Sequence, residues 1–359
     1  MKKQKYFNMF LFYLGQLPQE EAYRVVSFFS EIVDDKIEAG ISEDEALNQY
    51  GDCREFARKI LKDCYNIEAQ FKEYTEEETE EPAVVDENLN TYTAAMDNIA
   101  EIQVNSKAVD IDVIPSLDDM IHVGYMENES FTKSFRVQGT VFVVDFMSNA
   151  SDGILGGMFK GKKKDNLPNI TIEVPVKYTG NIVLNNENAS IRIANLAGAD
   201  NLLCTSKNGH IRVIDTNAAS LTAKTSNFRI TVTGVTILKE LNTMTNNGSI
   251  DLNKVSAEAI TCKTTKSDIS LKKATAKNML QASTTDSYIE FVEISGNVID
   301  LKTSNGRISG TIAGNIDEYS ITSKSSGGKS NLPNIPFGVK RLSAVTSKEN
   351  IYITFQDPS

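Results

Sequence analysis

The sequence predicts a mainly β protein: a parallel β-solenoid with coils of 19 to 20 residues, preceded by a small all-α helical module. One strand-turn-strand unit recurs, as in TSNGRIS from Thr303 to Ser309 and TNNGSIDL from Thr245 to Leu252. The isoleucines after these turns are 20, 19, 20, 19, 20 and 19 residues apart, at Ile191, Ile211, Ile230, Ile250, Ile269, Ile289 and Ile308. This period is typical of a solenoid, in which one coil cannot bury its apolar face alone and stacks on the next.

Further columns indicate which side of each coil faces the core. Nine residues before the isoleucines stand Ile182, Leu202, Leu221, Leu241, Ile260, Leu280 and Ile299. Two residues after them stand Ile193, Val213, Val232, Leu252, Leu271 and Phe291. Five residues before them, period-two counting also places hydroxyl side chains inward, at Ser206, Thr225, Thr245, Thr264, Thr284 and Thr303. Stacked hydroxyls can hydrogen-bond along the solenoid axis, so we assign this polar column to structure rather than to a site.

The repeat pattern fails after Ile308. The next isoleucine would fall near Gly328, within SSGGKSNLPNIPFG, and the register returns only at Leu342, Ala344, Thr346 and Ile351. A looped-out or capping coil explains this break. The GGKS sequence is not expected to bind a nucleotide, because a phosphate-binding loop requires a glycine where Ser323 stands, together with a flanking strand and helix.

Residues 99–180 are expected to form irregular β-strands that cap the solenoid repeats of residues 181–359. This order resembles the candidate-adhesin family of β-strand-repeat proteins. In that family an I-x-V-P strand, here Ile172 to Pro175, leads into repeats of the T-x-x-G-x-I-x-V type. The resemblance covers residues 99–359 and implies the fold, but no agreed activity.

Residues 1–70 show helical periodicity and helix-end signals. Gly40 and Gly51 suit C-terminal positions of helices, and the pairs Ser42 with Glu45 and Asp52 with Glu55 form two capping boxes. Three or four short helices are therefore expected. The stretches LPQEE, AGISEDEALNQYGD and EFARKI resemble the HAAS signalling domain of Gram-positive bacteria, although Cys53 replaces the proline that commonly follows GD. This resemblance implies intracellular regulation and no catalytic residues.

The distribution of charge indicates an acidic linker at residues 71–98. The net charge is −11, and residues 71–98 contain one lysine and nine acidic residues, so their own net charge is −8. Such a segment predicts a solvated acidic linker.

The acidic net charge of the chain argues against nucleic-acid binding. With neither an apolar run of about eighteen residues nor a signal peptide, the sequence predicts a cytoplasmic protein, or one peripheral to the inner face of the membrane.

No catalytic or cofactor chemistry is expected. His210 is predicted to point outward, and no second histidine or cysteine lies at a metal-ligand spacing from it. Cys204 and Cys262 lie three coils apart, or ~14 Å, beyond disulfide reach. A polysaccharide lyase or hydrolase would need clustered carboxylates, whereas the outward charges are scattered, at Arg229, Asp251, Asp268, Glu290 and Arg307. We therefore predict no enzyme, no metal and no cofactor.

Two segments are candidates for contacts with partners. The first helix contains more apolar residues than one stripe needs, so Phe12 and Tyr13 are candidates for a partner patch, with the helical core or self-association as the alternative. The loop of residues 151–166 combines apolar and basic side chains, a pattern suited to an anionic membrane. Its candidate contact residues are Ile154, Leu155, Met158, Phe159, Lys160, Lys162, Lys163 and Lys164. Coverage of the open end of the solenoid, an anionic protein partner and the chain's own acidic linker are the alternatives.

These observations predict a non-catalytic regulatory or scaffold protein, with helices that bind an unidentified protein partner and a solenoid that offers a binding surface. A role in envelope-stress signalling fits the HAAS resemblance. The alternative is a surface adhesin or glycan-binding protein. The oligomeric state is not predicted.

Overall fold

The computed structural model describes residues 41–65, 67, 89–126, 131–148 and 169–356, together with separate positions between 6 and 36. The chain divides into two compact units, Met1–Asn88 and Leu89–Ser359. The loop of residues 151–166 and most of the acidic linker lie outside the described residues.

The first unit is helical, and the side chains of the two predicted cap residues accept the amide hydrogen bonds expected of them. Helices α1 (Glu43–Asn48) and α2 (Cys53–Tyr65) follow the two cap residues. The Ser42 side chain accepts a hydrogen bond from the Glu45 amide. The Asp52 carboxylate accepts hydrogen bonds from the amides of Arg54 and Glu55, both at 3.0 Å. These contacts satisfy amides that have no partner within the first turn of a helix.

Aromatic side chains form the centre of the helical unit. Phe10 and Phe29 contact Phe56 with ring centroids 5.0 and 4.8 Å apart. Tyr13, which the sequence offered as part of an exposed partner patch, is only 5% exposed and belongs to the buried hydrophobic residues. An apolar ring so placed contributes to the core through burial, so Tyr13 is not available as a patch residue.

Within the described residues, the second unit contains 21 strands. Those that precede the repeats are β1 (Leu89–Ala95), β2 (Glu101–Lys107), β3 (Asp110–Ser116), β4 (Met120–Met126), β5 (Phe131–Gln138), β6 (Val141–Ser148) and β7 (Asn169–Pro175). The following strands are β8 (Asn181–Asn186), β9 (Ile191–Ala194), β10 (Ala199–Ser206), β11 (Ile211–Ile214), β12 (Asn217–Thr225), β13 (Ile230–Ile237) and β14 (Glu240–Met244). The last are β15 (Ile250–Lys263), β16 (Ile269–Ser283), β17 (Ile289–Lys302), β18 (Ile308–Ala313), β19 (Tyr319–Ser325), β20 (Lys340–Thr346) and β21 (Ile351–Gln356), with a 3-10 helix at Ile316–Glu318.

The repeats form a parallel β-solenoid, as predicted. The isoleucine column pairs in register from Ile191 through Ile211, Ile230, Ile250, Ile269 and Ile289 to Ile308. We call these stacked strands the isoleucine wall. The leucine wall is formed by the strands that contain the second predicted column, which is in register from Ile182 to Ile299. Both columns are buried, and their side chains form the core between the two walls.

A left-handed corner separates the two walls in the six coils from that of Ile191 to that of Ile289. The fourth residue after the isoleucine has a positive φ at Asn195, Asp215, Gly234, Lys254, Lys273 and Glu293. This conformation turns the chain sharply, and glycine and asparagine adopt it most readily. The lysines and the glutamate at this column gave no turn signal in the sequence, so the corner could not be predicted from them.

The predicted hydroxyl column is buried and hydrogen-bonds between coils. The hydroxyl of Thr264 donates to the Gly248 carbonyl at 2.9 Å, and that of Thr303 donates to the Ser287 carbonyl at 2.9 Å. Equivalent bonds join the other members of the column to the preceding turn. The acceptors are backbone carbonyls rather than neighbouring hydroxyls. The column therefore holds adjacent turns together, which is a structural role.

At the N-terminal end, two predicted boundaries are corrected. Residues 101–116 are not irregular: β2 and β3 form a regular coil that stacks on β8 and β9. Strands β6 and β7 stack on that coil in turn. Strand β1 lies within the predicted linker but pairs with β4, because its sequence LNTYTAA is uncharged and Tyr92 stacks on Phe135 and Phe142.

Aromatic residues close the N-terminal end of the core. Tyr125 contacts Phe135 and Phe146 with ring centroids 5.1 and 6.2 Å apart, and Phe131 contacts Phe146 at 5.4 Å. With Tyr92 and Phe142, these rings occupy the space between the walls beyond β2 and β3. The described strands thus supply a cap of their own.

At the C-terminal end, the chain leaves one strand position of the leucine wall empty and fills it later, which explains the break in the repeat after Ile308. We call each strand position along the solenoid axis a level. Strand β19 pairs with β20, and β20 pairs with β17, so β20 fills the level that β19 left empty. Strand β21 then stacks on β18, with Ile351 opposite Ile308. The predicted capping coil is therefore present, and its register returns at Leu342 and Ile351.

Candidate binding surface

Of the sequence-predicted contact residues, Tyr13 alone lies among the residues that the structure describes. The loop residues Ile154, Leu155, Met158, Phe159, Lys160, Lys162, Lys163 and Lys164 lie outside the described residues, as does Phe12. Tyr13 lies in the helical core. Residues 149–168 connect β6, which ends at Ser148, to β7, which begins at Asn169. In the repeats, the corresponding connection from the leucine wall to the isoleucine wall is a short turn, such as that between Ser206 and Ile211.

The carboxylates of the isoleucine wall and its adjoining turns are engaged in local contacts. Asp251 lies 3.2 Å from the Arg229 guanidinium, and Glu290 pairs with Arg307. Asp268 accepts a hydrogen bond from the Tyr288 amide at 3.1 Å. A typical glycoside hydrolase needs two carboxylates that face one substrate, and these acids are instead distributed over separate ion pairs and turns.

Both histidines lie on the surface. His210 is exposed, as predicted, and its ring meets Phe228 edge-on at 4.9 Å. The ring of His122 bridges two groups, with Nδ1 3.1 Å from the Thr93 hydroxyl and Nε2 2.8 Å from the Asp118 carboxylate. These contacts fix the ring on the outer face of the antiparallel strands β1 and β4.

Two carboxyl groups near His122 have shifted pKa values. Although partial burial acts to raise the pKa of Asp118, its hydrogen bonds with His122, Met120 and Ser116 lower that pKa overall. Burial raises the pKa of Glu173, which lies opposite His122. The sequence gave no sign of this cluster, because His122 on β4 and Glu173 on β7 lie 51 residues apart in the chain.

The thiols are free, and three of the four are buried. Cys204 and Cys262 occupy the same inward column three strands apart, as predicted, and burial raises the pKa of each to about 12. Burial and the nearby Asp52 also raise the pKa of Cys53 to about 12. A buried thiol with a raised pKa is a poor nucleophile and a poor metal ligand. In the part of the chain that the structure describes, no group of three or more His, Cys, Asp or Glu side chains could hold a metal ion.

Four lysines on the leucine wall form a regular line, which we call the lysine ladder: Lys224, Lys263, Lys302 and Lys324. They share one outward column, in which each lysine is separated from the next by one strand, with Met244, Ser283 and Val345 between them. All four are exposed. Because neighbouring strands are ~4.8 Å apart, the charges recur every ~9.6 Å over a length of ~29 Å.

The lysine ladder is set apart by its single column and its regular spacing, because other exposed lysines of the solenoid, such as Lys239 and Lys277, form no ion pair within the described residues either. Among the described residues, none forms an ion pair with any of the four lysines, whereas Arg192 pairs with Asp112 at 2.7 Å and Lys340 with Glu318 at 2.6 Å. Solvated surface lysines cost nothing to leave unpaired, but four in line with one spacing create a continuous positive potential.

Neutral polar side chains flank the lysine ladder on both sides. Two residues before each ladder position stands an outward column of Thr222, Asn242, Thr261, Gln281, Asp300, Ser343 and Thr322. Two residues after it, the turns present Ser226, Asn246, Thr265, Thr285, Ser304 and Ser347. Asp300 is the one carboxylate in these columns, and it accepts a hydrogen bond from the Gln281 amide at 3.4 Å. The surface thus offers hydrogen-bonding groups at every strand and a positive charge at every second strand.

Part of this surface could have been found in the sequence. Lys224, Lys263 and Lys302 each lie six residues before an isoleucine of the repeat, at intervals of 39 residues. The signal is weak, because only alternate coils contain a lysine in this column. Lys324 could not have been found, because it joins the column only through the skipped level between β19 and β20.

Among the described residues, no helix is both long and apolar enough to cross a membrane.

Comparison with solved structures gives weak overall similarity. A candidate adhesin from Parabacteroides distasonis shares 13% identity over 74% of this chain and 96% of its own, with a TM-score of 0.37. A candidate lipid-binding protein from the same species shares 17% identity over 63% of this chain and 95% of its own, with a TM-score of 0.35. A candidate adhesin from Parabacteroides merdae shares 12% identity over 76% of this chain and 98% of its own, with a TM-score of 0.33.

No curated protein matches the chain. The family model described as Toastrack DUF4097 matches residues 99–309, more than half of the chain and most of the solenoid, including the coils from β2 to β17. The chain therefore belongs to the Toastrack DUF4097 family.

Proposed function

We propose that this protein is a non-catalytic binding protein of the adhesin type, in which the leucine wall of the solenoid holds an extended anionic ligand. The observation that carries the proposal is the lysine ladder, four exposed lysines in one register column without acidic partners among the described residues. A rigid β-wall fixes their spacing, so a ligand that binds them meets preorganised charges.

Three features of the described residues support binding rather than catalysis. The carboxylates of the isoleucine wall are taken up by local ion pairs. Three of the thiols are buried. The polar columns that run through the coil interior hold turns together and do not reach a ligand.

Removal of the ladder charges tests the proposal. The intact chain and the variant K224Q/K263Q/K302Q/K324Q are compared for binding to immobilised polyanions and to neutral dextran at two salt concentrations. The matched control is K239Q/K254Q/K272Q/K277Q, which removes the same charge from other exposed positions. We expect salt-sensitive binding of the wild type and the control to polyanions, and loss of binding in the ladder variant. Equal binding by the two quadruple variants, or no binding by the wild type, would refute the proposed function.

A second contact is proposed for the loop of residues 151–166, with an anionic membrane surface as the partner. The observation in its favour is that aromatic residues of β1, β4, β5 and β6 already fill the N-terminal end of the core. The basic and apolar residues of the loop are suited to an anionic bilayer, at roughly 1 kcal/mol for each basic residue.

The test of the loop contact is co-sedimentation of the intact chain with vesicles of anionic or neutral lipid. Binding should require anionic lipid, weaken with salt and disappear in K160Q/K162Q/K163Q/K164Q while persisting in the ladder variant. Failure to sediment with either kind of vesicle would end this proposal. The resemblance of residues 1–65 to the HAAS domain, and the signalling role that it implies, stay predictions, because the family match begins at residue 99.

A further inference from the structure

We infer that the ligand of the lysine ladder is a linear acidic polysaccharide with one carboxylate in each disaccharide, bound along the solenoid axis. This inference rests on the proposed function and specifies its ligand. Three properties of the ladder select this ligand: its spacing, the polar columns beside it and its shape.

The spacing matches an alternating polymer. The ladder lysines recur at every second strand, ~9.6 Å apart, while outward polar side chains, neutral except for Asp300, recur at every strand, ~4.8 Å apart. One extended pyranose residue is about as long as one strand spacing. A polymer that alternates a charged and an uncharged sugar therefore places a carboxylate opposite each of Lys224, Lys263 and Lys302 in the same register.

The flanking columns match a ligand rich in hydroxyl groups. Thr222, Asn242, Thr261 and Gln281 are half-buried, so their hydroxyl and amide groups are held in place beside the ladder. Such groups both donate and accept hydrogen bonds, as sugar hydroxyls do. The side chains between the ladder lysines are small or apolar, at Ser283, Met244 and Val345, and can lie against the faces of sugar rings.

The shape of the charged surface favours an alternating polymer over other anionic ligands. A membrane surface favours a spread of basic groups with apolar neighbours that insert, whereas the ladder is a single line on a polar wall. Double-stranded nucleic acid carries a charge for every ~1.7 Å of axis, which is far denser than the ladder. A polymer with a carboxylate on every sugar would place alternate charges opposite Met244 and Ser283, where no cation lies.

The experiment changes the spacing without changing the charge. In M244K/K263M the number of lysines is unaltered, but the ladder positions become 224, 244, 302 and 324, so the intervals are one, three and two strands. The probe is a polymer of alternating glucuronic acid and N-acetylglucosamine. Its affinity for the intact chain is measured by calorimetry and compared with the affinity of polygalacturonate, which carries a carboxylate on every sugar, and of vesicles of phosphatidylglycerol.

We expect the alternating polymer to bind the wild type more tightly than polygalacturonate does. The exchange variant should bind it about threefold or more weakly, and K224Q/K263Q/K302Q/K324Q roughly tenfold or more weakly. Equal binding by the wild type and M244K/K263M, with loss only in the quadruple variant, would overturn the spacing and leave the proposed function standing. Preference for polygalacturonate or for the vesicles would overturn the assigned ligand. Unchanged binding by the quadruple variant would overturn both. Circular dichroism of each variant confirms that the solenoid is folded.

Discussion

At the scale of single residues, close approach between successive turns explains the glycines that accompany the buried threonines. Gly248 has no positive φ, so conformational freedom is not what it supplies. A Cβ built at this position would lie 1.8 Å from the carbonyl oxygen of Phe228 in the preceding coil. The hydroxyl of Thr264, from the following coil, takes the Gly248 carbonyl as its acceptor. The residue thus stands where three coils meet.

We predict that Gly248→Ala destabilises the chain by about 1–3 kcal/mol, because the added methyl group forces the backbone of one turn away from its neighbour. The control is Gly198→Ala, since a Cβ at Gly198 would have no atom within 4 Å. Urea denaturation of the intact chain, followed by circular dichroism, measures both variants. Equal midpoints for the two variants would show that the turns have room to separate.

At the scale of secondary-structure elements, the C-terminal edge strand of the isoleucine wall is protected by the side chain of Asn331, which makes the backbone hydrogen bonds that a neighbouring strand would make. The amide of Asn331 donates to the Ile353 carbonyl at 2.8 Å and its oxygen accepts from the Ile353 amide at 2.9 Å. The backbone of the same segment bonds with Ile351 and Ile321. An open parallel edge would otherwise offer a template for another chain.

Replacement of Asn331 by alanine should expose this edge and favour end-to-end association. Ile353 would lose both contacts, and its backbone groups would be free to pair with a second molecule. Sedimentation velocity over a range of concentrations should show oligomers for Asn331→Ala but not for Asn305→Ala, whose side chain lies in an exposed turn. Monomeric behaviour of both variants at all concentrations would count against a protective role for Asn331.

The elements differ in how far the sequence specifies them. The register from Ile191 to Ile308 follows from a local period, because every coil repeats the same inward columns within 20 residues. The coil of β2 and β3 could not be predicted, because its neighbours β8 and β9 lie 80 residues away in sequence. The same physical reason hid one of the four ladder lysines: Lys324 joins the ladder through the skipped level between β19 and β20, and no local pattern encodes it.

At the scale of the whole molecule, the division into Met1–Asn88 and Leu89–Ser359 moves the start of the solenoid unit from residue 99 to residue 89. Strand β1 belongs to the solenoid through its pairing with β4 and through Tyr92, which stacks on Phe135 with centroids 4.8 Å apart. The glutamate-rich sequence before it carries few groups that could offset ordering entropy.

Limited proteolysis should therefore cut between Tyr74 and Asn88 and leave a folded fragment that retains β1. Mass spectrometry identifies its first residue, and circular dichroism reports its strand content. The alternative outcomes are informative: a stable fragment that begins after Ala95 would mean that β1 is dispensable, and unfolding on cleavage would mean that the two units depend on each other.

Lysine footprinting shows whether the leucine wall binds its ligand through the lysine ladder. The intact chain is acetylated with and without the polymer of glucuronic acid and N-acetylglucosamine, and the labelled sites are quantified by mass spectrometry. Acetylation reports the accessibility of each amine, and all four ladder lysines are exposed in the free protein. We expect the polymer to protect Lys224, Lys263, Lys302 and Lys324 together, while Lys239, Lys254, Lys272 and Lys277 remain labelled. Protection of the second set, or equal labelling of the ladder with and without polymer, would contradict binding through the lysine ladder.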